Sequence, residues 1–286
     1  MDVLSVVRRQ GMFPEHSPAG FGAQMKKRIR LVGVCLLVVV AGIAWMLSAG
    51  RHSDPSPVWN TYRTGRGAAQ EITLSGRSTI ILNTDSELHV LASGTQRKVQ
   101  LVRGEALLNI AHDPQHPFEV SAANLAIRDL GTTFSVRLRD DQEADVLVRE
   151  GKVVVDQMSG TPGSNVDPAT WRRLAELSGG DAFELRAGVM RVRRLSLSEI
   201  DRRLAWLTGH LAFQGQTIGE AITEFNRYGQ RQLKVADPAV AAIPIAGVFQ
   251  TTNAEGFVSA LTKIYAIRAE SAKDSGSATV LRRDAH

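Results

Sequence analysis

The nineteen residues from Leu31 to Ala49, LVGVCLLVVVAGIAWMLSA, contain no charged side chain, and the next charge is Arg51. About 20 apolar residues are what an α-helix needs to cross the hydrocarbon core of a bilayer. Ten of the nineteen are Leu, Val or Ile. At roughly −0.3 to −0.6 kcal/mol each on an insertion scale, they contribute about −3 to −6 kcal/mol, which no buried charge offsets. No amphipathic period interrupts the run, so it does not read as a core helix of a soluble domain. Leu47-Ser48-Ala49 resembles a signal-cleavage site, but the run exceeds the roughly 7–15-residue apolar region of a signal peptide. The expectation is therefore an uncleaved transmembrane helix over 31–49. Lys26, Lys27, Arg28 and Arg30 precede it and only scattered arginines follow. The positive-inside rule then leaves residues 1–30 as a short cytoplasmic tail, with the bulk of the chain on the other side of the membrane.

The formal charge of the 286-residue chain is +5. The tail before the apolar run has six basic residues (Arg8, Arg9, Lys26, Lys27, Arg28, Arg30) against two acidic ones (Asp2, Glu15), a net of +4, so the remainder is nearly neutral. The basic balance belongs to membrane topology, and nucleic acid is not expected as a partner. The single cysteine, Cys35, lies inside the apolar run, which excludes an internal disulfide and a cysteine-based metal site. Segment 50–67, with Pro55, Pro57, Gly65 and Gly67, reads as a juxtamembrane linker.

Over 68–190 the chain is expected to be an all-β domain, a sandwich or coiled sheet stack. Ten short β-type runs follow one another: EITL, STIILN, ELHVLAS, KVQLV, ALLNIA, FEVSA, LAIRDL, TFSVRLR, ADVLVRE and KVVVD. Glu87-Leu88-His89-Val90 and Lys98-Val99-Gln100-Leu101 alternate apolar with polar, as strands with one buried face do. Gly76, Gly94, Gly104, Gly131 and Gly151 fall at the breaks, where tight turns are easiest. Leu130, Phe134 and Val136 are candidate core residues.

From Leu204 the pattern changes. LAFQ reads as a strand, and Thr217-Ile218-Gly219-Glu220 as a capping box ahead of Ala221, Ile222 and Phe225 at helical spacing, with Gly229 able to end the helix. QLKVAD and IPIAGVFQ read as strands. Thr252-Asn253-Ala254-Glu255 then repeats the box before Phe257, Leu261, Ile264 and Tyr265, and IRAES and ATVLRR close the unit. The order β-α-β-β-α-β-β over 204–284 implies a small α+β domain with two helices on one face of a sheet.

These residues carry a resemblance. The succession Leu74-Ser75-Gly76-Arg77-Ser78, Leu82-Asn83, Arg97-Lys98-Val99-Gln100-Leu101 with Gly104-Glu105-Ala106, Pro117-Phe118-Glu119-Val120, Leu130-Gly131-Thr132-Thr133-Phe134-Ser135-Val136 and Val148-Arg149-Glu150-Gly151-Lys152-Val153 resembles the periplasmic domain of FecR-type transmembrane sigma regulators, an anti-sigma factor family. Gly76-Arg77-Ser78 departs from the family's usual Asp-Gly-Ser. Ala205-Trp206-Leu207, Gly209, Leu211, Phe213, Asn226-Arg227-Tyr228, Val235-Ala236-Asp237-Pro238 and Gly247-Val248-Phe249 resemble the family's C-terminal module, which is similar to the short N-terminal domain of secretins and TonB-dependent receptors.

The chain shows no GxxxxGK[ST], no GxGxxG after a strand, no HExxH and no GxSxG, so no enzyme activity and no cofactor is expected. His112 and His116 are separated by Asp113-Pro114, which disfavours a helix presenting both to a metal. Asp140-Asp141 reads as a charged hairpin end rather than a catalytic pair. The resemblance singles out one bond, Gly131-Thr132, because in some relatives the corresponding Gly-Thr is a self-cleavage point where the threonine hydroxyl attacks the preceding carbonyl. It also implies partners: the signalling domain of a TonB-dependent receptor, often one for a ferric siderophore, and an extracytoplasmic-function sigma factor. Trp206, Tyr228 and Phe249 are candidate partner contacts, with core packing as the alternative for each. Relatives usually devote about 80 residues to a cytoplasmic sigma-binding domain, where this chain has a tail of about 30. A periplasmic scaffold or adaptor of an envelope assembly is the competing expectation.

Overall fold

The computed structural model describes residues 40–42, 58–92, 97–129, 131–139, 142–158, 170–271 and 278–283. The chain divides into two compact units, Met1–Ser56 and Pro57–His286. Of the first, residues 40–42 are described and are helical. Among the described residues no helix is long and apolar enough to cross a membrane; the rest of the expected 31–49 span, and the 1–30 tail, lie outside them.

The second unit begins with fourteen strands in two seven-stranded sheets. Sheet I has the order β1 (Trp59–Arg63), β4 (Glu87–Leu91), β5 (Arg97–Arg103), β7 (Phe118–Ala122), β8 (Leu125–Asp129), β11 (Lys152–Gln157), β12 (Arg172–Ser178). Sheet II has the order β14 (Val189–Arg194), β13 (Asp181–Arg186), β10 (Ala144–Glu150), β9 (Thr133–Leu138), β6 (Glu105–Asn109), β3 (Thr79–Leu82), β2 (Gln70–Thr73). Strand number rises monotonically across each sheet, so the chain coils from one sheet to the other as it advances. Among the described strands of these two sheets, only the β5–β7 pair is parallel. All ten expected β runs are strands, β2 to β11, and the alternation puts Leu88, Val90, Val99 and Leu101 into the core between the sheets. Phe134 and Val136 are fully buried there; Leu130 lies outside the described residues.

Several corners where the chain changes sheet turn on one glycine. Gly104 joins β5 to β6 at φ +86°, and Gly151 joins β10 to β11 at φ +89°. A Cβ on Gly104 would sit 2.0 Å from Ser86 Oγ and 2.6 Å from its Cα, and one on Gly151 would sit 2.4 Å from Thr132 Cγ2. Only glycine combines that backbone conformation with that close approach. At the departure from the family pattern, Gly76 and Arg77 are both left-handed (φ +75° and +64°) in the turn between β2 and β3.

The β domain is wider than expected at both ends. Trp59–Arg63, inside the expected linker, pairs in full with β4, and Tyr62 packs against the core. Prolines and glycines around a five-residue strand had masked its alternation. Strands β12 to β14 follow the expected runs, and β14, VMRVRR, is exposed at every position on the sheet edge, so no buried face left a period to read. The runs ALLN and DVLV do not alternate because sheet II is covered on its outer side. Leu107, Leu147 and Ala182 cluster there with Leu195, Ile200, Leu204 and Trp206. Burial on both faces yields continuous apolar strands. The covering segment is helix α1 (Leu197–Arg203), started by a capping box between Ser196 and Glu199, within a stretch that carries no apolar period of its own.

The C-terminal module follows as β15 (His210–Thr217), α2 (Ile218–Tyr228), β16 (Gln232–Val235), α3 (Pro238–Ala241), β17 (Pro244–Gln250), α4 (Ala254–Ile264), β18 (Ile267–Ser271) and β19 (Ala278–Arg283). The Thr217–Glu220 capping box is present at the start of α2. The second box is not: Asn253 caps α4 by accepting from Gly256 N. Nor do the strands form one sheet. β15 pairs with β17, while β16, β19 and β18 make a separate three-stranded sheet with β16 and β19 parallel. Periodicity specifies which residues are strands but not their partners. Here α2 touches β15 and β16 while α4 touches β17 and β18, so both sheets close over one core. Its centre is aromatic, with Phe225 stacked on Phe257 at 4.4 Å and Phe249 edge-on to Phe257 at 5.1 Å.

Candidate interaction site at the junction of the two domains

The last turn of α2 enters the corner of the sandwich formed by residues 83–86 and Gly104-Glu105. Asn83 is the centre. Its amide donates to Glu105 Oε2 at 2.9 Å and to the Tyr228 hydroxyl at 3.0 Å, while its carbonyl oxygen accepts from Thr84 N at 2.7 Å. Thr84 Oγ1 donates to the Arg227 carbonyl at 2.9 Å and so satisfies an orphan acceptor at the end of α2. Arg227 Nη1 reaches Glu105 Oε2 at 3.1 Å and Glu224 Oε2 at 3.2 Å. Arg137, from β9, donates to Glu224 Oε1 at 2.5 Å. Two stretches that resemble separate family motifs, Leu82-Asn83 and Asn226-Arg227-Tyr228, are thus the two sides of one contact.

The charges set one another's ionisation. Burial pushes the Glu224 carboxyl up, but the guanidinium groups of Arg137 and Arg227 together hold it below the usual carboxylate range. Burial works against the charge on Arg137, and Glu224 and Glu105 overcome it, so Arg137 is held charged more firmly than a free arginine. Burial, reinforced by Glu105, pushes the Tyr228 hydroxyl up to about 12.

The three candidate contact aromatics are all engaged inside the unit. Trp206 is 7% exposed, in the apolar cluster over sheet II. Tyr228 is bonded to Asn83, and Phe249 packs against Phe213, Phe225 and Phe257. Exposed apolar side chains of the second unit lie elsewhere and include Val189, Met190 and Val192 on β14, Val248 on β17, Leu197 and Ile264.

Gly131 and Thr132 lie at another corner, between β8 and β9. Gly131 has φ +146° and donates to Asp129 Oδ1 at 2.7 Å. The Thr132 hydroxyl is buried with no hydrogen-bond partner among the described residues. His112 stands against Gly131, its Nδ1 2.7 Å from where a Cβ would be. His116 instead pairs with Asp113 at 3.0 Å, and among the described residues no cluster of ligating side chains suits a metal. Asp140 and Asp141 lie outside them.

No curated protein matches the chain. Two crystal structures of a protein from Parabacteroides distasonis, described as a candidate anti-sigma factor, share the fold at TM-scores of 0.63 and 0.62. Their sequence identities are 22% and 23%; the match covers 78% and 79% of this chain and 99% of each of those. A family model described as FecR protein matches residues 60–154, from β1 to β11 and including both Asn83 and Glu105. Residues 60–154 of the two-sheet domain thus match the FecR family, and the C-terminal module is docked on that domain.

Proposed function

We propose that this chain is a single-pass inner-membrane regulator that relays a signal from a TonB-dependent outer-membrane receptor to an extracytoplasmic-function sigma factor, in iron or siderophore uptake. The observation that carries the reading is the extent of the fold match. It takes in 99% of a protein described as a candidate anti-sigma factor, so the FecR domain and the C-terminal module come together. The apolar run at 31–49 supplies the route across the membrane. The test is affinity capture of the tagged full-length chain from detergent-solubilised membranes, with a reporter gene read in parallel. Recovery of a sigma factor and of a receptor signalling domain is expected, together with altered reporter induction when residues 1–25 are deleted. Recovery of envelope-assembly proteins alone, with an unchanged reporter, would instead identify a scaffold and sink the regulatory reading.

One observation favours a second event in the same chain. The Thr132 hydroxyl is buried without a hydrogen-bond partner among the described residues, beside Gly131 at positive φ, which leaves that oxygen free to attack the Gly131 carbonyl carbon. The C–N bond would break as the ester forms, the hydroxyl proton ending on the freed amine, and water would then open the ester. Thr132→Ala is expected to abolish a fragment boundary between residues 131 and 132, read by intact-mass spectrometry. An unchanged fragment pattern, or wild-type protein found only at full length, rules the event out.

A further inference from the structure

Between sheet II and the C-terminal module lies a cleft of about 330 Å³. Its five carboxylates are all occupied. Glu224 accepts from Arg137 and Arg227, Glu105 from Asn83 and Arg227, and Asp145 from Arg139 and Arg186. Glu199 accepts from Ser196 and Arg193, and Glu220 from Thr217. The donors are not matched in this way. Nε of Arg137, Nη2 of Arg227 and Nε1 of Trp206 are buried and have no acceptor among the described residues, and all three side chains line the cleft. Arg202 lines it too, with no carboxylate paired to it among the described residues.

The imbalance has one sign: three orphaned donors and no orphaned acceptor among the residues lining this cleft. A buried donor left unpaired is costly and calls for an acceptor. Arg137 and Arg227 are each anchored through one nitrogen and keep another free, which is how a guanidinium is pre-set for a second oxygen ligand. Trp206, at 7% exposure, adds an N–H that cannot turn away. We propose that this cleft binds an oxyanion, carboxylate or phosphate, held by Arg137, Arg227, Arg202 and the indole N–H of Trp206. The volume is at the small end of ligand sites, near 300 Å³ in scale, and suits a small free anion or one acidic side chain from a docked protein. The site stands independently of the regulatory reading.

The test is a titration of the purified full-length chain, followed by tryptophan fluorescence and by the thermal midpoint. The probes are inorganic phosphate, a hexaglutamate peptide, and sodium chloride at matched ionic strength. A saturable response to phosphate identifies a free anion as ligand, and one to the peptide alone identifies an acidic side chain; chloride is expected to give neither. Arg202→Gln, which breaks no ion pair among the described residues, and Trp206→Phe, which keeps a ring in the apolar cluster, are each expected to weaken binding about tenfold, the loss of one charge-assisted contact. No saturable response to either probe, an equal response to chloride, or undiminished affinity in both variants overturns the site.

Discussion

Gly104→Ala is expected to destabilise the Pro57–His286 unit by about 2–5 kcal/mol, while Gly76→Ala costs about 1–2. Both glycines are left-handed, at φ +86° and +75°, so both variants carry the conformational cost of a Cβ in that region. They differ in space. Around Gly76 nothing lies within 4 Å of an added Cβ, whereas at Gly104 the Ser86 backbone would be 2.6 Å away. Relieving that clash means moving Ser86, whose hydroxyl accepts from Glu105 N at 3.0 Å and donates to the Thr84 carbonyl at 2.9 Å. The corner that receives Tyr228 and Arg227 would move with it. At about 2–4 °C per kcal/mol for a unit of this size, thermal melts separate the two variants easily. Equal losses would show that crowding at this corner has no energetic weight.

The second large effect is expected from Glu224→Gln, at about 2–4 kcal/mol, because it takes the paired carboxylate from Arg137 and leaves Arg227 with Glu105 alone in a largely buried setting. The side chains of Arg137 and Glu224 are 17% and 19% exposed, so solvent screens the pair only in part. The effect also has a pH signature. The folded-state carboxyl of Glu224 is held below its ordinary value of 4.5. Its contribution is therefore fully present above about pH 4.5 and is lost as pH falls through the lower folded value. The stability difference between wild type and Glu224→Gln, from urea melts, should be constant from neutrality down to about pH 5 and shrink below that. A difference that stays constant into acid would mean that the carboxylate charge is not what holds the junction.

The FecR domain was legible strand by strand because the alternation that marks a half-buried strand is local. Leu88 and Val90 on one strand, or Val99 and Leu101 on the next, point inward because successive side chains point to opposite faces. The same logic fails for Leu107 and Leu147, whose outward burial depends on Trp206 and Leu204 arriving about 60 to 100 residues later in the chain. It fails again for β14, which has no buried face. In the C-terminal module the element order was readable, and the split into two sheets was not, because strand partners are set by how helices share a core rather than by any period along the chain.

What the linear order of residues determined by itself was the identity of the strands β2 to β11, the glycine corners, the Thr217 capping box and the motifs Leu82-Asn83 and Asn226-Arg227-Tyr228. What only the tertiary structure decided was that those two motifs meet. Asn83 and Tyr228 are 145 residues apart in sequence and 3.0 Å apart through a hydrogen bond. An asparagine, a tyrosine and a set of Arg–Glu pairs carry no mark of their partners, since polar side chains are specific only through geometry. That geometry exists once Gly104 has turned the chain between sheets and α2 has been laid against the corner it makes.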